Sequence, residues 1–168
     1  MCVTSETAGS WSLVARRYKL TMLNVNALLA KQAGKRVYFD TPIFIYLLSN
    51  HTLYAPMCLQ SLQACSDREI LGFSGDVTLG ELLVKPLQNN DAKAVAAVRE
   101  LLTQDGAITL VSHNRKAFER AAEMRALHGL KMVDALQLAT ALEAGASCFV
   151  GNDRDFPPIP EIECVRLD

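Results

Sequence analysis

Short apolar runs alternate with stretches of helical spacing along this chain, and that alternation restricts its fold more than any other feature. Val37-Tyr-Phe39 is such a run, and after Asp40 and Pro42 the segment Ile43 to Leu48 continues as the apolar start of a helix. Residues 55–68 have helical spacing, Gly72 and Gly75 bracket a turn or short strand around Ile70, Leu71 and Phe73, and a helix is expected from about Thr78. Residues 91–103 form an amphipathic helix closed by the turn dipeptide Asp105-Gly106, followed by the strand Ile108–Val111. Asn114 opens a helix that Gly129 ends, Lys131 to Ala144 is the next helix, and Gly145 stops it. Ser147–Val150 is a short strand, and Ile162 to Leu167 is a last edge strand beyond Pro157-Pro158. Strands that alternate with helices predict a mainly parallel sheet covered on both faces, with ligands bound beyond the carboxyl ends of its strands.

At 168 residues, half of them hydrophobic, the chain suits one domain with a sizeable core. Its apolar runs are too short to span a bilayer, so no membrane association is expected. Five cysteines form no CxxC pair and several lie inside apolar runs, which favours free thiols in a reducing cytoplasm. None of the three histidines has metal-ligand spacing from a cysteine, so zinc is disfavoured and oxygen ligands remain.

The net charge of −1 hides an uneven distribution. Residues 1–36 carry Arg16, Arg17, Lys19, Lys31, Lys35 and Arg36 against the single acid Glu6. The expected organisation is a basic N-terminal extension over 1–35 and a domain over 36–168. A transit peptide and a translation start at Met22 are two further readings of the same segment.

Four acids stand where strands meet helices: Asp40, Glu81, Asp134 and Asp153. Each has an ordinary explanation. Asp40 can cap the helix that starts at Thr41 or Pro42. Thr78-x-x-Glu81 has capping-box spacing, which predicts that Glu81 bonds back to its own helix start. Asp134 lies in the first turn of a helix that is apolar nearly all round, where the macrodipole favours an anion and partial burial demands a partner. Asp153 and Asp155 can be Asx-turn residues, the preferred reading for Asp155. All four, however, share one end of the expected sheet. Carboxylates brought together raise one another's pKa, and such clusters are tolerated mainly where a divalent cation neutralises them.

Val37-Tyr-Phe-Asp-Thr-Pro-Ile-Phe-Ile-Tyr-Leu-Leu48, Val77-Thr-Leu-Gly-Glu-Leu-Leu-Val84, Val133-Asp-Ala-Leu-Gln-Leu-Ala-Thr-Ala-Leu-Glu-Ala-Gly145 and Val150-Gly-Asn-Asp-Arg-Asp-Phe156 resemble, in order and spacing, the four acidic motifs of PIN-domain ribonucleases. The likeness is greatest to the small VapC-type toxins of toxin–antitoxin pairs and covers roughly residues 36–168. It implies a PIN-like three-layer α/β/α fold. It makes Asp40, Glu81, Asp134 and Asp153 ligands of Mg²⁺ or Mn²⁺, with Thr41 and Thr78 as nearby hydroxyls and Asp155 as an accessory acid. The implied reaction is RNA hydrolysis to a 5′-phosphate and a 3′-hydroxyl, and the implied partners are an antitoxin protein and a second copy of the chain. Two departures stand out. Pro42 replaces a residue that is often small and polar in the family, and the first 35 residues are extra.

An acidic pocket repels a polyanion, so affinity for RNA must come from basic groups around it. Arg115, Lys116, Arg120 and Arg125, with Lys131 and Arg154, are the candidates. Ile43, Phe44, Leu47 and Leu48 beside Met57, Leu59 and Leu62 are expected to offer a partner groove, the alternative being that they fill the core. The main competing function is a non-catalytic PIN-fold module that binds RNA or a protein without cutting. A flap-type DNA nuclease lacks support because the chain has no long insertions, and a receiver-like domain fits Glu81 and Asn152-Asp153 poorly.

Overall fold

The computed structural model describes residues 26–104, 106–153 and 156–167. The elements run β1 (Arg36–Phe39), α1 (Thr41–Leu48), α2 (Ala55–Ser66), β2 (Leu71–Gly75), α3 (Asp76–Gln88), α4 (Ala92–Arg99), one π-helical turn (Glu100–Gln104), β3 (Ile108–Val111), α5 (Arg115–His128), α6 (Met132–Glu143), β4 (Cys148–Gly151) and β5 (Glu163–Arg166). The strands make one five-stranded sheet in the order β3-β2-β1-β4-β5, and every pairing is parallel. The chain winds outward from β1 to β3 on one side and then returns to add β4 and β5 on the other. β1 and β4 therefore flank the point where the winding reverses, the crevice in which open α/β sheets bind ligands.

Alternation along the strands sorts the core into two layers. Val37, Phe39, Cys148 and Val150 face one side, where Ile43, Phe44, Met57 and Leu62 of α1 and α2 cover them. Tyr38, Phe73 and Phe149 face the other, packed by Ala117 and Ala121 of α5 and by Leu138 and Ala139 of α6. This is the expected three-layer α/β/α architecture. Ile43, Phe44, Met57 and Leu62 thus belong to the core rather than to an open groove, because a sheet buried on both faces needs their apolar area. Among the residues expected to form the groove, Leu48 and Leu59 remain exposed, joined by Ile45.

Local signals account for most boundaries. Asn114 caps α5 by accepting from the Ala117 N–H at 3.0 Å, and Gly129 ends it at φ +70°. The helix expected over 91–103 divides into α4 and the π turn. Residues 71–75 form a full strand, in which Gly72 is required by packing rather than turning: a Cβ there would lie 2.6 Å from Cys65 Sγ and 2.7 Å from Ile108 Cδ1. Before β1, residues 26–31 are helical, Leu28 joins the core and Gln32 is buried. That part of the expected extension packs onto the domain. Arg16, Arg17 and Lys19 lie outside the described residues, as do Arg154 and Asp155.

Cys58, Cys65, Cys148 and Cys164 are free, and burial pushes the first three thiols up to about 12. They are packing groups, as expected. No helix among the described residues is long and apolar enough to cross a membrane.

Candidate active site

Asp40 leaves the carboxyl end of β1 in extended conformation, and its backbone N–H still bonds to the Val150 carbonyl of β4 at 2.9 Å. Its side chain caps α1 by accepting from the Thr41 N–H at 2.8 Å, so the capping role is real. The carboxylate is buried, close against β4, where a Cβ on Gly151 would lie 3.3 Å from its Oδ2. Burial is the largest influence on this group. Together with the charges of Asp134, Glu81 and Asp153, and against the opposing Thr41 N–H, it raises the Asp40 pKa to about 7. The four acids therefore share one electrostatic neighbourhood, graded from the buried Asp40 through half-buried Asp134 and Asp153 to exposed Glu81.

Glu81 does not complete a capping box. Helix α3 begins at Asp76, two residues before Thr78, with Gly75 at its N-cap. Thr78 consequently turns inward and is fully buried, while the Glu81 Oε2 accepts from the Thr41 hydroxyl at 2.6 Å. The missing cap comes from another element: His113, after β3, accepts from the Val77 N–H through Nε2 at 3.1 Å and contacts the Thr140 hydroxyl through Nδ1 at 2.6 Å. Burial keeps the His113 pKa below its ordinary value despite Asp76 nearby.

Beneath the acids lies a polar network. The Gln137 amide nitrogen lies 2.9 Å from Thr41 Oγ1, 3.0 Å from Thr78 Oγ1 and 3.2 Å from Asp40 Oδ1. Its oxygen accepts from the Tyr38 hydroxyl at 2.6 Å. Thr41 and Thr78 hydroxyls meet at 3.1 Å, and the Ser74 hydroxyl lies 3.0 Å from Thr78 and 2.8 Å from the Phe39 carbonyl. Thr41 and Thr78 were expected near the acids; Tyr38, Ser74, His113 and Gln137 were not. The available signal was one amide inside the apolar run Ala135–Ala141, three residues after Asp134.

All-oxygen donors of this kind suit a hard divalent cation in chemical type. Among the described residues, no three acidic, histidine or cysteine side chains are gathered closely enough to ligate one ion as they lie. Burial first, and then the charges of Asp134, Glu81 and Asp153, raise Asp40, so the four carboxylates interact at the separations they keep. Beside Asp153, the buried Asn152 Oδ1 has no hydrogen-bond partner among the described residues, while its Nδ2 donates to Tyr46 at 3.0 Å.

The basic candidates divide. Arg115, Lys116 and Lys131 are exposed at the starts of α5 and α6. Arg120 is held between Glu143 at 3.5 Å and Glu161 at 3.3 Å, and Arg125 donates to the Leu130 carbonyl at 3.1 Å.

Several solved structures share this fold. A toxin–antitoxin complex from Klebsiella pneumoniae matches with a TM-score of 0.62 and 23% identity, over 79% of this chain and 98% of that one. VapBC2 from Rickettsia felis, bound to a fragment of its promoter DNA, matches with a TM-score of 0.63 and 15% identity, over 78% and 98%. VapC20 from Mycobacterium tuberculosis, a toxin that cleaves the sarcin–ricin loop, matches with a TM-score of 0.56 and 17% identity, over 71% and 91%. No curated protein sequence matches the chain significantly. The model of the PIN domain matches residues 37–162, from β1 to the residue before β5 and across all four acidic positions. With that match spanning most of its length and the sheet order described above, the chain belongs to the PIN domain family.

Proposed function

We propose that the protein is a metal-dependent endoribonuclease and the toxin of a toxin–antitoxin pair. The observation that carries this reading is the gathering of acids at the carboxyl ends of the strands, where Thr41 links Asp40 to Glu81 and where burial, with the charges of Asp134, Glu81 and Asp153, raises the Asp40 carboxyl to about 7. A group so placed gains most from a cation. Asp40, Glu81, Asp134 and Asp153 would hold Mg²⁺ or Mn²⁺, which when bound supplies an activated water and stabilises charge on the phosphate. The chain's own residues do the rest. Thr41 fixes both Asp40 and Glu81, through its backbone N–H and its hydroxyl respectively. Gln137 lends its amide hydrogens to the acidic end of the network. Exposed Arg115, Lys116 and Lys131 supply the positive surface an RNA backbone requires, whereas Arg120 is committed to its two glutamates. Arg154 and Asp155 complete the proposed set without structural description.

The toxin–antitoxin structures of the same fold support a protein partner. Ile45, Leu48 and Leu59, exposed on α1 and α2, are the apolar groups such a partner would cover. A second copy of the chain is the other proposed partner.

The test is cleavage of a structured RNA in Mn²⁺ or Mg²⁺, with 5′-phosphate ends as product. Asp134→Asn should reduce the rate by roughly a hundredfold or more and leave the fold intact. An unchanged rate in that variant removes the shared metal site. Absence of cutting by the wild type with either ion favours the non-catalytic binding module.

A further inference from the structure

Gln137 lies on α6, and its neighbours leave its amide only one orientation. Tyr38, on β1, is fully buried and stacks on Phe149 with ring centres 5.4 Å apart and planes 11° from parallel, so its hydroxyl cannot swing away. That hydroxyl donates to Gln137 Oε1 at 2.6 Å. The reversed amide would turn its oxygen onto Asp40 Oδ1, 3.2 Å away, and onto Thr41 Oγ1, whose single hydrogen already goes to Glu81 Oε2 at 2.6 Å. In a buried site such an arrangement costs the desolvation of each group left unpaired. The nitrogen therefore faces the acids, with Thr41 Oγ1 at 2.9 Å and Thr78 Oγ1 at 3.0 Å.

This orientation propagates by donor accounting. Once Thr41 Oγ1 accepts from Gln137, its own single hydrogen is directed to Glu81 Oε2 at 2.6 Å. Asp40, on the other side of Thr41, takes the Thr41 N–H and lies 3.2 Å from the same amide nitrogen. With two hydrogens for three acceptors, the amide shares one between a threonine and Asp40, so one neutral side chain below the acids sets Glu81 through Thr41 and makes its longest contact with Asp40.

We propose that Gln137, locked by Tyr38, is the positioning residue that aims the Asp40 and Glu81 carboxylates at a divalent cation. This rests on the proposed metal site and assigns Gln137 no contact with the ion or the substrate. A purely structural glutamine would stabilise the domain equally with and without metal. A positioning glutamine changes how tightly the ion is held, because outer partners that orient metal ligands set their affinity.

The experiment follows the melting temperature of the full chain during Mn²⁺ titration, alongside RNA cleavage, for the wild type, Gln137→Met and Tyr38→Phe. Methionine keeps the length and apolar bulk of the side chain and removes its hydrogen bonds. Phenylalanine removes only the hydroxyl that orients the amide. Gln137→Met is expected to raise the half-saturating Mn²⁺ concentration about tenfold. Tyr38→Phe should move it in the same direction by a smaller factor, with cleavage in both variants recovering as Mn²⁺ is raised. A lower melting temperature with an unmoved Mn²⁺ midpoint overturns the proposal. Should Gln137→Met fail to fold, Tyr38→Phe decides by the same criterion. A wild type that neither cleaves RNA nor responds to Mn²⁺ overturns the metal site itself, and this inference with it. A responsive wild type with unshifted variants overturns the inference alone.

Discussion

Gln32 and Gln137 share part of a bonding pattern at opposite ends of one sheet. Each is buried, donates toward a carboxylate and accepts from a hydroxyl. Gln32 takes Ser147 at 3.0 Å and gives to Glu163 at 3.0 Å, while Gln137 takes Tyr38 at 2.6 Å and reaches Asp40 at 3.2 Å. The ends differ in what stands beside the carboxylate. Glu163 has Lys31 at 2.6 Å, whereas Asp40 is bonded by neutral donors and raised by burial and by the charges of three acids. At the amino end of the strands the chain supplies its own cation. At the carboxyl end the positive charge has to come from solution, which separates an arrangement that holds the fold from one that awaits a ligand.

The largest effect that tests this contrast is expected for Asp40→Asn. Cleavage should fall by roughly a hundredfold or more, while the metal-free protein melts higher at neutral pH because a buried repelled charge is gone. A variant that still cuts RNA, or that melts lower, erases the distinction between the two ends.

A middle-sized effect concerns pH. The Asp40 carboxyl moves from 3.8 to about 7 on folding, so the folded state holds its proton over a range in which the unfolded chain has released it. The contribution of Asp40 to the stability of the metal-free protein is then fully present below about 4 and is lost as pH rises through about 7, opposite to the usual carboxylate. Denaturant titrations in a chelator across that window measure the slope, and Asp40→Asn should flatten it. An equal slope in the variant assigns the effect to another group.

The smallest effect belongs to the other end. Lys31 and Glu163 are 61% and 38% exposed, so Lys31→Met should cost less than about 1 kcal/mol and leave cleavage unchanged. A loss of activity there would mean the two ends are coupled through the sheet.

The alternation of apolar runs and helices made the sheet legible, and β2 alone was ambiguous because its two glycines read as turn signals. One of them, Gly72, instead makes room for Cys65 and Ile108, neighbours that only the folded chain brings near. The acids were legible because charge at strand ends is conspicuous. The ordinary explanation of Glu81, a capping box with Thr78, fails because α3 starts two residues earlier and His113, beyond the next strand, bonds its Val77 N–H, which no local pattern announces. Gln137 was overlooked for a related reason: an amide in an apolar helix shows its worth only when its partners on β1, α1 and α3 are in place. Ile43 and Phe44 looked like surplus apolar surface until the sheet proved to be covered on both faces.

The strand order also dictates when the site can exist. Val37 of β1 pairs with Gly72 of β2 soon after both are made, but its other neighbour, Cys148 of β4, emerges from the ribosome much later. Until then the central strand has one open edge, the condition under which nascent chains associate wrongly or wait for a chaperone. Asp153 follows β4, so a chain interrupted before that point carries an incomplete acid set. Translation itself thereby delays assembly of the site until β4 and the residues that follow it have been synthesised.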